Sequence, residues 1–184
     1  MSILKIVKYG EPILREPTKE VYKISAKIQK LIKDMINTMY AGNGVGLAAP
    51  QVGENYKIFV IDISQSNEAN PIVFINPKII KKSGAIISNE GCLSFPEVYT
   101  DVRRYSDIMI KAKDRHGKDF VIEAKDGSIL SRAIQHEMDH LNGILFIDHA
   151  IDIADSNCKL NKKGLLNIDE AYLINEDELE KAII

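Results

Sequence analysis

The residues best placed to do chemistry lie in the run QHEMDHLNG, residues 135–143, where His136 and His140 stand four apart and Glu137 follows the first directly. On a helix such a pair shares one face, with Cβ atoms roughly 5–6 Å apart. Both imidazoles can then reach a single metal ion at about 2.0–2.1 Å. Glu137 is offset around the helix but can still reach a water held at that ion, take its proton and return it to a leaving group. This is the HExxH arrangement of metal hydrolases. The alternative is a helix that merely carries polar residues, since HExxH alone also occurs by chance. Against that, burying two histidines beside Leu130, Ala133, Ile134 and Leu141 without partners would be costly.

Two histidines seldom complete such a site, so the third ligand decides the chemistry. One protease class continues HExxHxxGxxH. The chain follows that template to Gly143 and then places Phe146, which cannot bind a metal, at the third histidine position. His149 falls three residues beyond and reads as a surface histidine. A thermolysin-like enzyme would take a glutamate from a later helix, for which Glu170, Glu176 and Glu178 are available in an acidic stretch. His116, in the turn DRHG, reads as solvated, and Cys158 has no ligand neighbour in sequence. Cys92, in NEGCLSFP, is left. A lone cysteine is most often a small buried hydrophobe, but one beside Gly91 at a strand edge is also an accessible thiolate ligand.

These residues need elements to hold them. Residues 26–40 carry Ile28, Leu31, Ile32, Met35, Ile36 and Met39, one apolar helical stripe with Ser25 as N-cap. The methionines are core filler. The glycine-dense loop AGNGVGLAAPQVG follows. KIFVIDIS at 57–64 and PIVFINPKII at 71–80 read as strands, and DIMIKAKD with KDFVIEAKD around RHG as a β-hairpin. A helix over about 127–141 carries the histidines, capped by Asp126 or Ser128 and closed by Gly143. Strands preceding one late helix, without βαβ alternation, predict an α+β fold with largely antiparallel sheet. The segment from about 150 to 184 is acidic and only loosely amphipathic, a short peripheral helix or a partly mobile tail.

The bulk properties set limits. A chain of 184 residues fits one domain, 1–184, with that acidic segment as its tail. With 45% hydrophobic and 27% charged residues it can bury a core. A net charge of −2 gives no global field for nucleic acid, and although a local basic patch is not excluded, nothing in the sequence points to one. Two cysteines make no disulfide framework. No apolar run is long enough to cross a membrane, and the N-terminus lacks the uninterrupted apolar stretch of a signal peptide. A cytoplasmic protein is the expectation.

Three segments together, GVGLAAPQ at 44–51, EGCLS at 90–94 and HEMDH at 136–140, resemble the three motifs of the peptide deformylases, in order and at plausible separations. VFINP and HLNGILFID extend the likeness, which covers about residues 3–149. The resemblance implies an α+β fold of antiparallel sheets around a central helix carrying the histidines. It implies Cys92, His136 and His140 as metal ligands and Glu137 as catalytic acid/base. It also implies Gln51 and the backbone N–H of Leu93 as donors to the oxyanion. The cofactor implied is Fe²⁺, with Ni²⁺, Co²⁺ or Zn²⁺ as substitutes; a His₂Cys set does not itself choose among such ions.

The reaction implied is hydrolysis of the formyl group from the formyl-Met end of nascent polypeptides, releasing formate, in the bacterial cytoplasm and by a monomer. A substrate strand would pair with Val45, Gly46 and Gly91 by strand addition, with Ala133 and Val45 beside the methionine side chain. Glu90 and Arg104 match a further family pair, read either as an ion pair bracing the cysteine loop or as ordinary exposed charges. Arg132 departs from the family, standing where an apolar residue is common. Some bacterial members contact the ribosome transiently through a basic terminal helix. Here Asp169, Glu170, Glu176, Asp177, Glu178 and Glu180 stand against Lys181, and RNA phosphate would repel them. Two other readings remain: a metallopeptidase cutting internal bonds, disfavoured by Phe146, and a non-enzymatic metal-binding module, which would need neither Glu137 nor Gln51.

Overall fold

The computed structural model describes residues 2–64 and 69–174. Seven strands run β1 (Gly46–Ala48), β2 (Ile58–Ile61), β3 (Ile72–Ser83), β4 (Ile86–Cys92), β5 (Phe95–Arg104), β6 (Asp107–Lys113) and β7 (Asp119–Ala124). Three helices are α1 (Ala26–Ala41), α2 (Ile129–Leu141) and α3 (Ile153–Lys162). All pairing between named strands is antiparallel: one sheet has the order β1-β2-β3-β6-β7, and β4 with β5 forms a separate hairpin. The α+β expectation holds.

The core follows from the period of two in strands sandwiched between two helices. In β2 every residue is buried. Phe59 and Ile61 face α2 and pack with Ala133, Ile134 and Leu141. Ile58 and Val60 face α1 and pack with Ile32, Met35 and Met39. The same split runs through β3, where Phe74 joins the first set and Val73 and Ile75 the second. Phe59 stands opposite Phe74 in register, and their rings stack at 4.5 Å. This layered packing fixes α2, the histidine helix, against the sheet.

Both helix starts match their sequence signals. Ser25 accepts the Ile28 N–H and Ser128 the Ser131 N–H. Asp126 does not cap α2; it sits at φ 58° in the preceding turn. Gly143 just beyond α2 has φ +73°, and a Cβ there would lie 2.4 Å from the Arg15 carbonyl oxygen, so glycine is required on both counts.

Cys92, expected at a strand edge, lies at the end of β4, but the β4–β5 hairpin as a whole does not emerge from the sequence. Its inward positions on β5 include Thr100 and Arg104 as well as Val98 and Val102, so apolar alternation is interrupted. A third cluster joins this hairpin to the chain end: Phe95, Val98 and Val102 pack with Phe146, Ile147, Leu160 and Ile168. The segment beyond residue 150 is thus better anchored, up to Ile174, than its composition suggested. Helix α3 is capped by Asp152 and buries Leu160. Asp169 and Glu170 are exposed, while Glu176, Asp177, Glu178, Glu180 and Lys181 lie outside the described residues.

Candidate metal centre

Helix α2 presents His136 and His140 four residues apart, and the β4–β5 hairpin brings Cys92 to them. One donor atom from each of the three lies within 4.8 Å of the others. The Cys92 Sγ is 3.3 Å from the His140 Nε2. A break in register between Gly91 and Cys92 re-aims the cysteine, as β-bulges beside functional sites do. Phe146, at the rejected third-histidine position, is instead a packing residue, 1% exposed, with its ring 5.8 Å from that of His136.

The ring orientations are set from behind. The Nδ1 of His136 lies 3.0 Å from Glu90 Oε2. A carboxylate can only accept, so the ring donates there and leaves Nε2 to face Cys92. Glu90 is in turn gripped by Arg104 through two bonds of 2.9 Å. Arg104 also bonds Asp139, and Asp139 accepts from His149 Nε2 at 2.9 Å. Glu90 and Arg104 are therefore a buried ion pair rather than exposed charges. The reading of His149 as a surface histidine is corrected as well: its side chain is 11% exposed and tied to Asp139. His116 is exposed as expected, and Cys158 is exposed, far in sequence from any ligand.

Electrostatics sort these groups. Burial would push the Cys92 thiol up, but His140 and His136 beside it outweigh that and bring it to about 5. Burial would likewise raise Glu90, yet the charge of Arg104 and the bond from His136 hold it at about 2. For Glu137 burial outweighs the opposing charges of His136 and His140 and lifts it to about 7, and its Oε2 has no hydrogen-bond partner among the described residues. Its other oxygen abuts Gly46, where a Cβ would fall 2.4 Å from Oε1. The glycine of β1 is what gives the carboxylate its room.

A cleft of about 560 Å³ opens over these residues. It is lined by Gln51, Cys92, Leu93, His136 and Glu137, and also by Val45, Gly46, Gly91 and Ala133. Of the residues to which the resemblance gives a metal, catalytic or substrate-binding role, His140 alone is absent from the lining; it lies behind, 1% exposed. The Gln51 amide is oriented at both ends: Oε1 accepts the Ala48 N–H at 2.8 Å, and Nε2 lies 3.2 Å from Cys92 Sγ and 3.3 Å from Ser94 Oγ. Leu93 packs its side chain over Gly42 and Gly44. Arg132 reaches the cleft, with its Nε buried and unpartnered among the described residues. The bracing roles of Asp139, His149 and Ser94 were not found from sequence, because they rest on no spacing pattern and each acts through a neighbour.

Two imidazoles and a depressed thiol converging from different elements fit a borderline metal ion. They leave room on the cleft side for water or substrate.

Known proteins agree with this geometry. A family model for polypeptide deformylase matches residues 3–156. A peptide deformylase of Dictyoglomus turgidum is 48% identical over 150 residues, covering 82% of this chain and 94% of its own. One from Microchaete diplosiphon is 44% identical over 163 residues, covering 88% and 86%. Among solved structures, a peptide deformylase of Synechococcus elongatus in complex with actinonin superposes with a TM-score of 0.85 at 40% identity, covering 93% of this chain and 91% of that one. One from Legionella pneumophila gives 0.82 at 39%, covering 89% and 96%. Matched over most of its length in sequence and in fold, with the Cys92, His136 and His140 set in place, the chain belongs to the polypeptide deformylase family.

Proposed function

We propose that Cys92, His136 and His140 hold the metal and that Glu137, Gln51 and Leu93 carry the hydrolysis. The family removes the N-formyl group from nascent polypeptides, and this chain is a hydrolase of that kind. The observation that carries the assignment of roles is the contrast at the cleft floor: three metal-type donors meet beside one buried carboxylate whose Oε2 has no partner among the described residues.

When bound, the ion supplies a Lewis acid toward the formyl oxygen and toward water. Ferrous iron is the ion we assign, with nickel, cobalt or zinc able to replace it. The protein does the rest. Glu137, at about 7, takes the proton of the attacking water and returns it to the departing amine nitrogen, as a group poised near neutrality does best. Gln51 Nε2 and the Leu93 N–H donate to the oxygen on which charge develops, and the Ala48 bond holds the Gln51 amide ready before that charge appears. The substrate backbone lies as an added strand between Val45, Gly46 and Gly91. Its methionine side chain lies against Ala133 and Val45, with Arg132 at the rim.

The enzyme is proposed as a single domain, 1–184, acting as a monomer in the bacterial cytoplasm. No helix among the described residues is long and apolar enough to cross a membrane. The test is formate release from formyl-Met peptides by iron-loaded protein under anaerobic conditions. Turnover there, with none on N-blocked internal peptides, supports the reading; the reverse pattern makes the chain a peptidase. Cys92→Ala should no longer retain metal, and unchanged metal content in that variant overturns the ligand assignment.

A further inference from the structure

Helix α2 has two working faces. Ile129, Arg132, Ala133 and His136, spaced i, i+3, i+4, i+7, line the cleft. Gln135, Met138, Asp139 and Asn142, with the same spacing, line a second concavity of about 1000 Å³ that shares no lining residue with the first. Its other walls come from β3 and its neighbours and are basic: Lys57, Lys78, Lys81, Lys82, Lys111 and Arg103. The acids lining it are Glu20 and Asp139, and Asp139 is already committed to Arg104 and His149.

Lysines on a surface are usually a solvated face, but three observations set this group apart. The chain as a whole carries −2, so these cations are segregated rather than typical. None of the five lysines has an ion-pair partner among the described residues; Lys82 lies instead over the Tyr105 ring, 4.5 Å from its centroid. Lys78 on β3 stands directly opposite Lys111 on β6, and like charges so placed destabilise a sheet. A concavity lined mainly by one sign of charge, here cations with Glu20 as the acid not already bonded to Arg104, focuses its field on a ligand of the other sign.

We propose that this groove binds the phosphate backbone of RNA. Protein–protein interfaces are depleted in lysine and rely on aromatic and arginine anchors, the opposite of this lining. Lysine-dominated contact to phosphate positions a protein without reading sequence, and Tyr105, buried under Lys82, offers no platform on which bases could stack. Nascent polypeptides emerge from ribosomes, whose surfaces are rich in RNA. A groove on one face of α2 can hold that RNA while the cleft on another face stays open to the formylated end.

The test uses the full-length, metal-loaded protein and a fluorescein-labelled single-stranded RNA of about 20 nucleotides, followed by anisotropy, with formate release measured in parallel. Neutralising about four phosphates predicts that affinity falls about 50-fold between about 50 and about 200 mM salt. Lys78→Glu combined with Lys81→Glu should weaken RNA binding at least ~10-fold at low salt and leave formate release from a formyl-Met dipeptide unchanged. Both side chains are exposed, and Glu at 78 would face Lys111 as an attractive pair, so the variant is expected to fold. No binding at low salt, or equal binding by wild type and variant, overturns the proposal. So does displacement of the RNA by a poly-glutamate peptide as readily as by unlabelled RNA, which would assign the groove to an acidic protein segment. Absence of formate release from the wild type would sink the deformylase roles and leave the RNA result to be read independently.

Discussion

Glu90 lies beside the histidine helix and Glu137 on it, and their surroundings drive them apart. Both are buried beside His136. Glu90 accepts two bonds from Arg104 and one from His136 and is held at about 2. Glu137 has one oxygen against Gly46 and the other unpartnered among the described residues, and burial raises it to about 7. The lesson is that carboxylates of one residue type take different tasks by environment alone. A permanently charged glutamate orients a ligand ring; a carboxylate that changes charge near neutrality moves protons.

The largest expected effect comes from breaking the first environment. Arg104→Met leaves the buried Glu90 and the partly buried Asp139 without their cation, and removal of one partner of a buried pair costs about 3–5 kcal/mol. Denaturant unfolding at pH 7 of metal-free protein should show that loss. A change below about 1 kcal/mol, the range of exposed pairs, would mean that the pair is solvated and does not hold His136. The sign with pH follows from the lowered carboxylate. Its stabilisation is fully present above the ordinary carboxylate range and is lost as pH falls toward about 2.

Breaking the second environment should damage the reaction instead of the fold. Glu137→Gln keeps shape and removes the proton acceptor, so turnover should fall about 10²–10⁴-fold while metal content, measured by atomic absorption, stays at the wild-type level. Retained activity would remove Glu137 from its role.

The same variant sharpens the comparison through stability. A carboxylate raised from its ordinary value to about 7 contributes fully below the ordinary carboxylate range and loses that contribution as pH rises to about 7. Above that, the charged form is buried at a penalty of about 3 kcal/mol. Metal-free Glu137→Gln should therefore gain on wild type between about pH 4.5 and 7, by a difference that then levels off at about 3 kcal/mol. A flat difference across that range would mean that Glu137 is not raised.

How much of this contrast was readable in the sequence depends on the kind of signal each residue leaves. His136, Glu137 and His140 announce themselves by helical spacing. Cys92, Gln51 and Leu93 are joined to them only by folding, and the family resemblance, not periodicity, singled them out. The helices α1 and α2 and the buried strands β2 and β3 were visible because their apolar residues repeat with the element. The hairpin β4–β5 was not, since Thr100 and Arg104 point inward where apolar residues were sought. Arg104 is inward because it serves Glu90, so the irregularity that hid the strand is the trace of the site. Asp139 gave no signal, and His149 was weighed only as a ligand and read as a surface residue. What makes them a brace is Arg104, brought to Asp139 by folding, and nothing in HEMDH separates the face that binds from the face that braces.

His149 gives the smallest expected effect and tests how far the bracing extends. It bonds Asp139, which bonds Arg104, which grips Glu90, which orients His136. Groups that orient metal ligands from behind usually account for about 10–100-fold in metal affinity when removed, and His149 stands several bonds from the ligand, so the lower end applies. His149→Phe keeps a ring in the half-buried slot and removes the donor to Asp139. The rate of metal loss to a chelator should rise about 10-fold with KM for formyl-Met peptides unchanged, because the cleft lining is untouched. His149→Gln, which can still donate, should restore the wild-type rate. If Phe and Gln release metal equally fast, the side chain matters only for packing; if both match wild type, orientation of His136 ends at Arg104.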